Sequence, residues 1–97
     1  MVNTMKILMS SKLLASKLKE IDFEKQSIER ATLDKDELIL ITQTSSVKFH
    51  VHVLEFKASV KQDGRRWDWV KSLVYRVEEQ PIVLQIFDNV VNVIFQY

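Results

Sequence analysis

Apolar residues recur with two different periods along the chain, and the changes of period mark the expected elements. The short apolar run Met5–Met9 predicts a first strand. Across residues 11–21 the apolar positions recur at helical spacing, which predicts a helix. Its apolar face collects Leu14, Leu18 and Ile21. Ser10 and Ser11 stand at its start, where serine is a preferred residue.

The middle of the chain follows a strand pattern instead. Residues 27–42 contain two apolar stretches around the polar residues 34–36, which is typical of a hairpin and its turn. Residues 47–53 alternate strictly, and this alternation predicts one half-buried strand. The inward positions are Val47, Phe49, Val51 and Val53. The outward positions are Lys48, His50 and His52. Residues 54–60 fit either a strand or an extended connection.

A second helix is predicted over residues 63–77, with the sequence DGRRWDWVKSLVYRV. Asp63 suits the N-cap position, and Pro81 disfavours helical backbone just before it. The apolar face of this helix collects Val70, Leu73, Val74 and Val77. Residues 82–97 then predict a closing hairpin around an Asp-Asn turn.

The two tryptophans differ in their position on the second predicted helix. Trp67 lies beside the apolar face, so we expect it in the core and not against nucleic-acid bases. Trp69 lies at the border of the apolar and basic faces, where it either caps the core or belongs to an interface. Arg65 and Arg66 adjoin Trp67, which fits a cation stacked on the indole ring, an anion site near the helix N-terminus or an ordinary solvated surface, and the solvated surface is the simplest of these.

The order of elements is β-α-β-β-β, a connection, then α-β-β, which predicts one α+β domain over residues 1–97. In this domain an antiparallel sheet carries both helices on one face.

The 97 residues include no cysteine, which excludes disulfides, a thiol nucleophile and thiolate metal sites, and fits a cytoplasmic protein. No apolar run has the length of a membrane span or the form of a secretory signal, so we expect neither a membrane anchor nor secretion.

Charge is unevenly distributed although the formal net charge is only +1. Residues 10–21 hold three lysines and one glutamate, and residues 61–77 hold five basic and two acidic residues. The rest of the chain holds six basic and ten acidic residues. The two helices are therefore basic, and the sheet-forming remainder of the chain is acidic. A polyanion would prefer the helical face, although lysine is also the ordinary choice for any solvated helix surface.

Three stretches together resemble one domain of a bacterial DNA sliding clamp of the beta type, the ring that holds a polymerase on its template. The first is KILMSSKLLASKLKEI, a strand, a serine cap and a leucine-rich helix. The second is IERATLDKDELILITQTSSVKFHV, a meander of strands. The third is RRWDWVKSLVYRVEEQPIVLQIFDNVVNVIF, a helix followed by a hairpin. They cover nearly the whole chain.

The resemblance implies a non-enzymatic domain whose helices line a central hole and contact duplex DNA phosphates without reading sequence. The matching positions are Lys12, Lys17, Lys19, Arg65, Lys71 and Arg76. A clamp chain of this family has three such domains, so a ring built from this chain would need about six copies. Asp68 and Tyr75 interrupt the basic surface of the second helix. The family's pocket for partner peptides lies between domains and has no counterpart in a single domain.

The sequence gives little support for metal binding or enzymatic catalysis. His50 and His52 share a strand face, a spacing that metal sites use, but a site needs a third ligand, for which Glu29 and Glu55 are candidates. Two histidines on a solvated strand face are the simpler interpretation, so we expect no metal and no cofactor. No nucleophile motif or phosphate-binding glycine loop is present, so we expect no enzymatic activity. A protein-interaction adaptor without DNA contact and a small metal-binding protein remain alternatives.

The closing hairpin is apolar on both faces, which bears on association between copies. One face is expected to enter the core, and the other would be exposed unless something covers it. Strand pairing with a neighbouring copy would cover it, and clamps are joined in this way. The candidate interface residues are Val83, Phe87, Val91, Val93 and Phe95. The alternative is that the connection LEFKASV, residues 54–60, folds over this face.

Overall fold

The computed structural model describes residues 4–62, 64–88 and 90–95, with the side chains of residues 64–66 excepted. The described part of the chain folds into two helices and eight strands. In chain order these are β1 (Thr4–Ser10), α1 (Ser11–Leu18), β2 (Ile28–Asp34), β3 (Glu37–Thr42), β4 (Ser46–His50), β5 (His52–Phe56), β6 (Val60–Lys61), α2 (Gly64–Arg76), β7 (Pro81–Phe87) and β8 (Val90–Phe95).

The strands form two antiparallel sheets of four strands each, and the predicted α+β class is confirmed. Sheet A has the order β5-β1-β7-β8, and sheet B has the order β4-β3-β2-β6. The sequence pattern predicts a single sheet, whereas the structure has two. An alternating pattern reports which side of a strand is buried and not which sheet the strand joins. One hydrophobic core contains buried residues from both sheets and both helices.

The chain passes from sheet B to sheet A at Val51. The predicted strand over residues 47–53 is divided there into β4 and β5. The backbone N–H of Val51 donates to the carbonyl of Asp36 at 2.8 Å, which fixes the crossing against the β2–β3 turn. Val47, Phe49 and Val51 are all buried. The alternation therefore continues through a change of sheet, which explains why it resembles one uninterrupted strand.

The helices begin close to where the sequence predicts. The Ser10 hydroxyl accepts a hydrogen bond from the backbone N–H of Leu13 at 3.2 Å and caps α1. This helix ends at Leu18 and not at residue 21, yet Ile21 remains buried because a turn returns it to the core. The second helix begins at Gly64, within the predicted range. Its predicted cap, Asp63, lies outside the described residues.

Trp67 lies in the core, as predicted, and is fully buried. Its Nε1–H donates to Oε1 of Gln62 at 2.8 Å. The Nε2 amide of Gln62 in turn donates to the carbonyl of Phe87 at 2.7 Å and to that of Lys61 at 3.1 Å. This buried network joins α2 to β7 through the residue after β6. Each of its polar groups has a partner, which burial requires.

The β2–β3 hairpin carries a backbone conformation that lysine tolerates poorly. Asp34 pairs with Glu37, so Lys35 and Asp36 form the turn, and Lys35 has a φ of 57°. A Cβ atom is crowded in this left-handed region, whereas glycine is not. We expect Lys35→Gly to raise the free energy of unfolding by about 1 kcal/mol in urea denaturation. Lys35→Ala is the matched control, since it removes the side chain but keeps the Cβ; an equal gain in both variants would contradict the conformational explanation.

Candidate functional site: a basic groove between the helices

The two helices pack against each other and leave an open groove between their exposed sides. The groove consists of two adjoining depressions of about 580 and 240 Å³, which share Ala15, Lys19 and Tyr75. We call it the interhelix groove. Among the side chains that the structure describes, the charged and aromatic ones that line it are Lys12, Lys19, Asp68, Lys71, Tyr75 and Arg76. Four of these six side chains are cationic and one is anionic, so the groove attracts anions.

Three of the cations point their charge toward solvent at the groove. Lys12, Lys19 and Arg76 are exposed side chains. The Lys19 ammonium lies 5.2 Å from the centroid of the Tyr75 ring, a cation–π contact between the C-cap of α1 and helix α2. Tyr75 is itself 68% exposed. In the sequence Tyr75 only interrupts a basic surface. In the structure its ring contacts the ammonium group of Lys19, the C-cap residue of α1.

Lys71 has a different environment from the other three cations. It is half-buried, and its Nζ donates to the carbonyl of Ile21 at 3.5 Å and lies 5.3 Å from the centroid of the Phe23 ring. These contacts attach α2 to the segment that follows α1. Lys71 therefore contributes positive charge to the groove, but part of its binding capacity is used within the protein.

The remaining two candidate cations are Lys17 and Arg65. Lys17 lies outside its lining and forms an ion pair with Glu20, with the Nζ–Oε2 distance at 3.6 Å. Arg65 lies in the first turn of α2, and its side chain is outside the described part of the structure. The fold thus brings together four of the six positions that the resemblance indicated, and the two on the α1 side are more than 50 residues from the two on α2.

The N-terminus of α1 is already occupied by a carboxylate of the protein itself. The Ser10 hydroxyl donates to Oε1 and Oε2 of Glu79, at 2.7 and 2.6 Å. The pKa of Glu79 is lowered from its ordinary value, chiefly by this hydroxyl and, against a smaller opposing effect of desolvation, by the backbone N–H of Lys12. An external phosphate would have to displace Glu79 from this position, so the side chains of the groove are the more accessible anion site.

The two histidines lie in different sheets on either side of the crossing. His50 ends β4 and His52 begins β5, and both side chains are exposed. Among the described residues, no cluster of three or more histidine, cysteine, aspartate or glutamate side chains has the arrangement of a metal site. Neither Glu29 nor Glu55 joins the histidines in such a cluster.

The candidate interface residues of the closing hairpin lie on opposite faces of sheet A. Opposed residues in an antiparallel pair share a face, and Val83 is opposed to Ile94, whereas Leu84 is opposed to Val93. The inner face therefore holds Val91, Val93 and Phe95 together with the core residues Ile82, Leu84 and Ile86. The outer face holds Val83 and Phe87. The five residues do not form one surface.

The outer face of this hairpin is not covered by residues 54–60. Leu54 and Phe56 belong to β5, which pairs with β1 at the opposite edge of sheet A, and Val60 belongs to sheet B. Two apolar residues of β8 are accordingly exposed on this face, Val90 by 38% and Ile94 by 42%.

Trp69 of α2 is 56% exposed, so it does not cap the core.

Neither helix in the described part of the chain has the length and apolar character that crossing a membrane requires. Comparisons of the chain with protein-family models, with curated proteins and with solved structures find no significant match.

Proposed function

We propose that this chain is a non-enzymatic, clamp-like domain that contacts the phosphate backbone of duplex DNA through the interhelix groove and joins other copies through strand edges. The observation that carries the proposal is the convergence of Lys12 of α1 and its C-cap residue Lys19 with Lys71 and Arg76 of α2 on one open groove. Outside residues 10–21 and 61–77 the chain carries six basic and ten acidic residues, so positive charge is concentrated in the segments that contain the helices. The order of elements and the resemblance to a clamp domain support the same function.

The chemistry of the groove favours contact without sequence selection. Lysine and arginine side chains bind phosphate oxygens, which position a protein on DNA but carry no sequence information. Trp67 is fully buried and unavailable to bases. Tyr75 faces the groove, but its ring is already in contact with the Lys19 ammonium. We therefore expect the protein to bind duplexes of unrelated sequence with equal affinity.

The test is a salt titration of binding to a short fluorescent duplex, followed by anisotropy. Each phosphate contact releases counterions, so the logarithm of the affinity should fall linearly with the logarithm of salt concentration, with a slope of about −0.9 for each contact. Three or four groove cations predict a slope of about −3 to −4. An affinity that does not change with salt, or no binding at low salt, would contradict the proposal.

A second candidate function is a protein-interaction adaptor with no DNA contact. Three exposed apolar side chains favour it: Trp69 on α2, and Val90 and Ile94 on β8. Tryptophan is frequent among the residues that dominate protein interfaces. The same titration separates the two functions, since an adaptor would show no salt-dependent affinity for DNA.

A further inference from the structure

The outer strands of the two sheets differ in how well they resist pairing with another chain. Among the described strands, these are β5 and β8 in sheet A and β4 and β6 in sheet B. Proteins protect such edges with charged residues, bulges or very short strands. Glu55 and a register shift against β1 protect β5. Lys48 protects β4, and β6 contains only two residues, Val60–Lys61.

Strand β8 has none of these protections. Its six residues, VVNVIF, carry no charge and no proline. Its pairing with β7 is regular from one end to the other, without a bulge. Its inner face is buried at Val91, so the strand is held in place by the core, while its outer face exposes Val90 and Ile94. A regular, uncharged edge of this kind is suited to accept another strand.

The exposed residues of β8 also continue an apolar row on the outer face of sheet A. Leu8 of β1 is opposed to Val83 of β7, which is opposed to Ile94 of β8. The neighbouring row, formed by Lys6, Gln85 and Asn92, is polar. The apolar row therefore ends at the open edge with Ile94, where a further strand would extend it.

We propose that β8 pairs antiparallel with β8 of a second copy, around a two-fold axis through Asn92. This inference deepens the strand-edge association of the proposed function, of which it specifies the edge and the partner. In this register Val90 is opposed to Ile94 of the second copy, Val91 to Val93 of the second copy, and Asn92 to itself. Both exposed apolar residues of the strand gain an apolar partner, and no like charges are opposed.

The register follows from the faces of the strand. Val90, Asn92 and Ile94 share the outer face, because they are opposed to the alternate residues Phe87, Gln85 and Val83. A two-fold axis midway between two residues would oppose outer to inner side chains and interrupt the core face. The axis therefore passes through a residue, and Asn92 is the one that places Val90 against Ile94 of the second copy.

The same pairing has a consequence for the basic groove. Side chains that share a face within one sheet share it across the two-fold axis, so sheet A becomes an eight-stranded sheet with both copies of α2 on the same side. Helix α2 packs against β8, next to the axis. The two interhelix grooves then face the same direction and present one longer basic surface to a polyanion.

The inference is tested by the mass of the full chain in sedimentation equilibrium, without nucleic acid. Asn92→Lys and Asn92→Asp each place like charges on the axis and should raise the dimer dissociation constant at least about tenfold. An equimolar mixture of the two variants should recover the dimer. Ser46→Lys adds the same charge to the edge of β4 and should leave the dimer intact. Circular dichroism checks that each variant is folded.

A cysteine at the axis provides an independent measurement, since the chain has none of its own. Opposed Cα atoms in an antiparallel pair lie about 4.5–5.5 Å apart, within reach of a disulfide. Asn92→Cys should therefore oxidise to a covalent dimer, and Ser46→Cys should not. A monomeric wild-type chain, an assembly of more than two copies, or a dimer unaffected by the Asn92 variants would overturn the inference. A monomer that still binds DNA in the salt titration would leave the groove proposal standing.

Discussion

Trp67→Ala is expected to lower the free energy of unfolding by about 3–5 kcal/mol, the range typical of large-to-small substitutions of buried tryptophan. Trp67 is fully buried, and its indole N–H holds Gln62 at 2.8 Å. The substitution leaves a cavity in the core and removes the partner of a buried amide oxygen. Both effects act against the folded state. Urea denaturation followed by circular dichroism measures the change.

Two further variants separate packing from exposure and from hydrogen bonding. Trp69→Ala removes an equally large side chain from the same helix, but this side chain is 56% exposed, so we expect a loss below about 1 kcal/mol. Trp67→Phe retains most of the packing but leaves Oε1 of Gln62 without its donor, at a cost of about 1–3 kcal/mol plus a packing loss. Equal losses for Trp67→Ala and Trp69→Ala would contradict the described core.

Reversal of the three exposed groove cations is expected to lower the affinity for duplex DNA at least about 100-fold near 0.1 M salt. The variant combines Lys12→Glu, Lys19→Glu and Arg76→Glu. If each of these side chains contacts one phosphate, the slope of the salt titration should also fall in magnitude by about 3. Anisotropy with the duplex used for the wild-type chain measures both quantities. Lys71 is left unchanged because its contacts with Ile21 and Phe23 attach α2 to the segment that follows α1.

The matched control reverses three exposed lysines outside the groove, Lys25, Lys35 and Lys48. Both triple variants change the net charge equally, so a difference between them reports position and not total charge. We expect the control to retain most of the affinity and most of the slope. Equal losses in the two variants would show that the chain binds DNA through its overall charge, and would contradict a site in the groove.

Much of the local structure could be predicted from the sequence. The apolar face of the second helix included Val70 and Val74, and both are buried. Trp67 was expected in the core because it lies beside that face. These predictions depend on short-range periodicity, which fixes the side of each element that faces the core. The predicted end of α1, at residue 21, is wrong, because the helix ends at Leu18. Ile21 continues the apolar pattern although it lies in the turn that follows the helix.

The groove could be predicted only in part. Counting charges along the chain is sufficient to predict that both helices are basic. It did not separate Lys12 and Lys19, which line the groove, from Lys17, which pairs with Glu20. The distinction depends on which flank of α1 meets α2, and no pattern within either helix contains that information.

Most of the order of elements, the inner face of most of them and the concentration of positive charge in the helices could be predicted, because these follow from neighbouring residues along the chain. The division of the stretch from β4 to β6 into three strands was not predicted. Tertiary structure decided the division into two sheets at Val51, the meeting of the α1 lysines with Arg76, and the assignment of β8 to an open edge. Each of these depends on contacts between residues distant in the chain. A hydrophobic pattern predicts that one face of an element is buried. Which other element packs against that face depends on how the whole core is assembled.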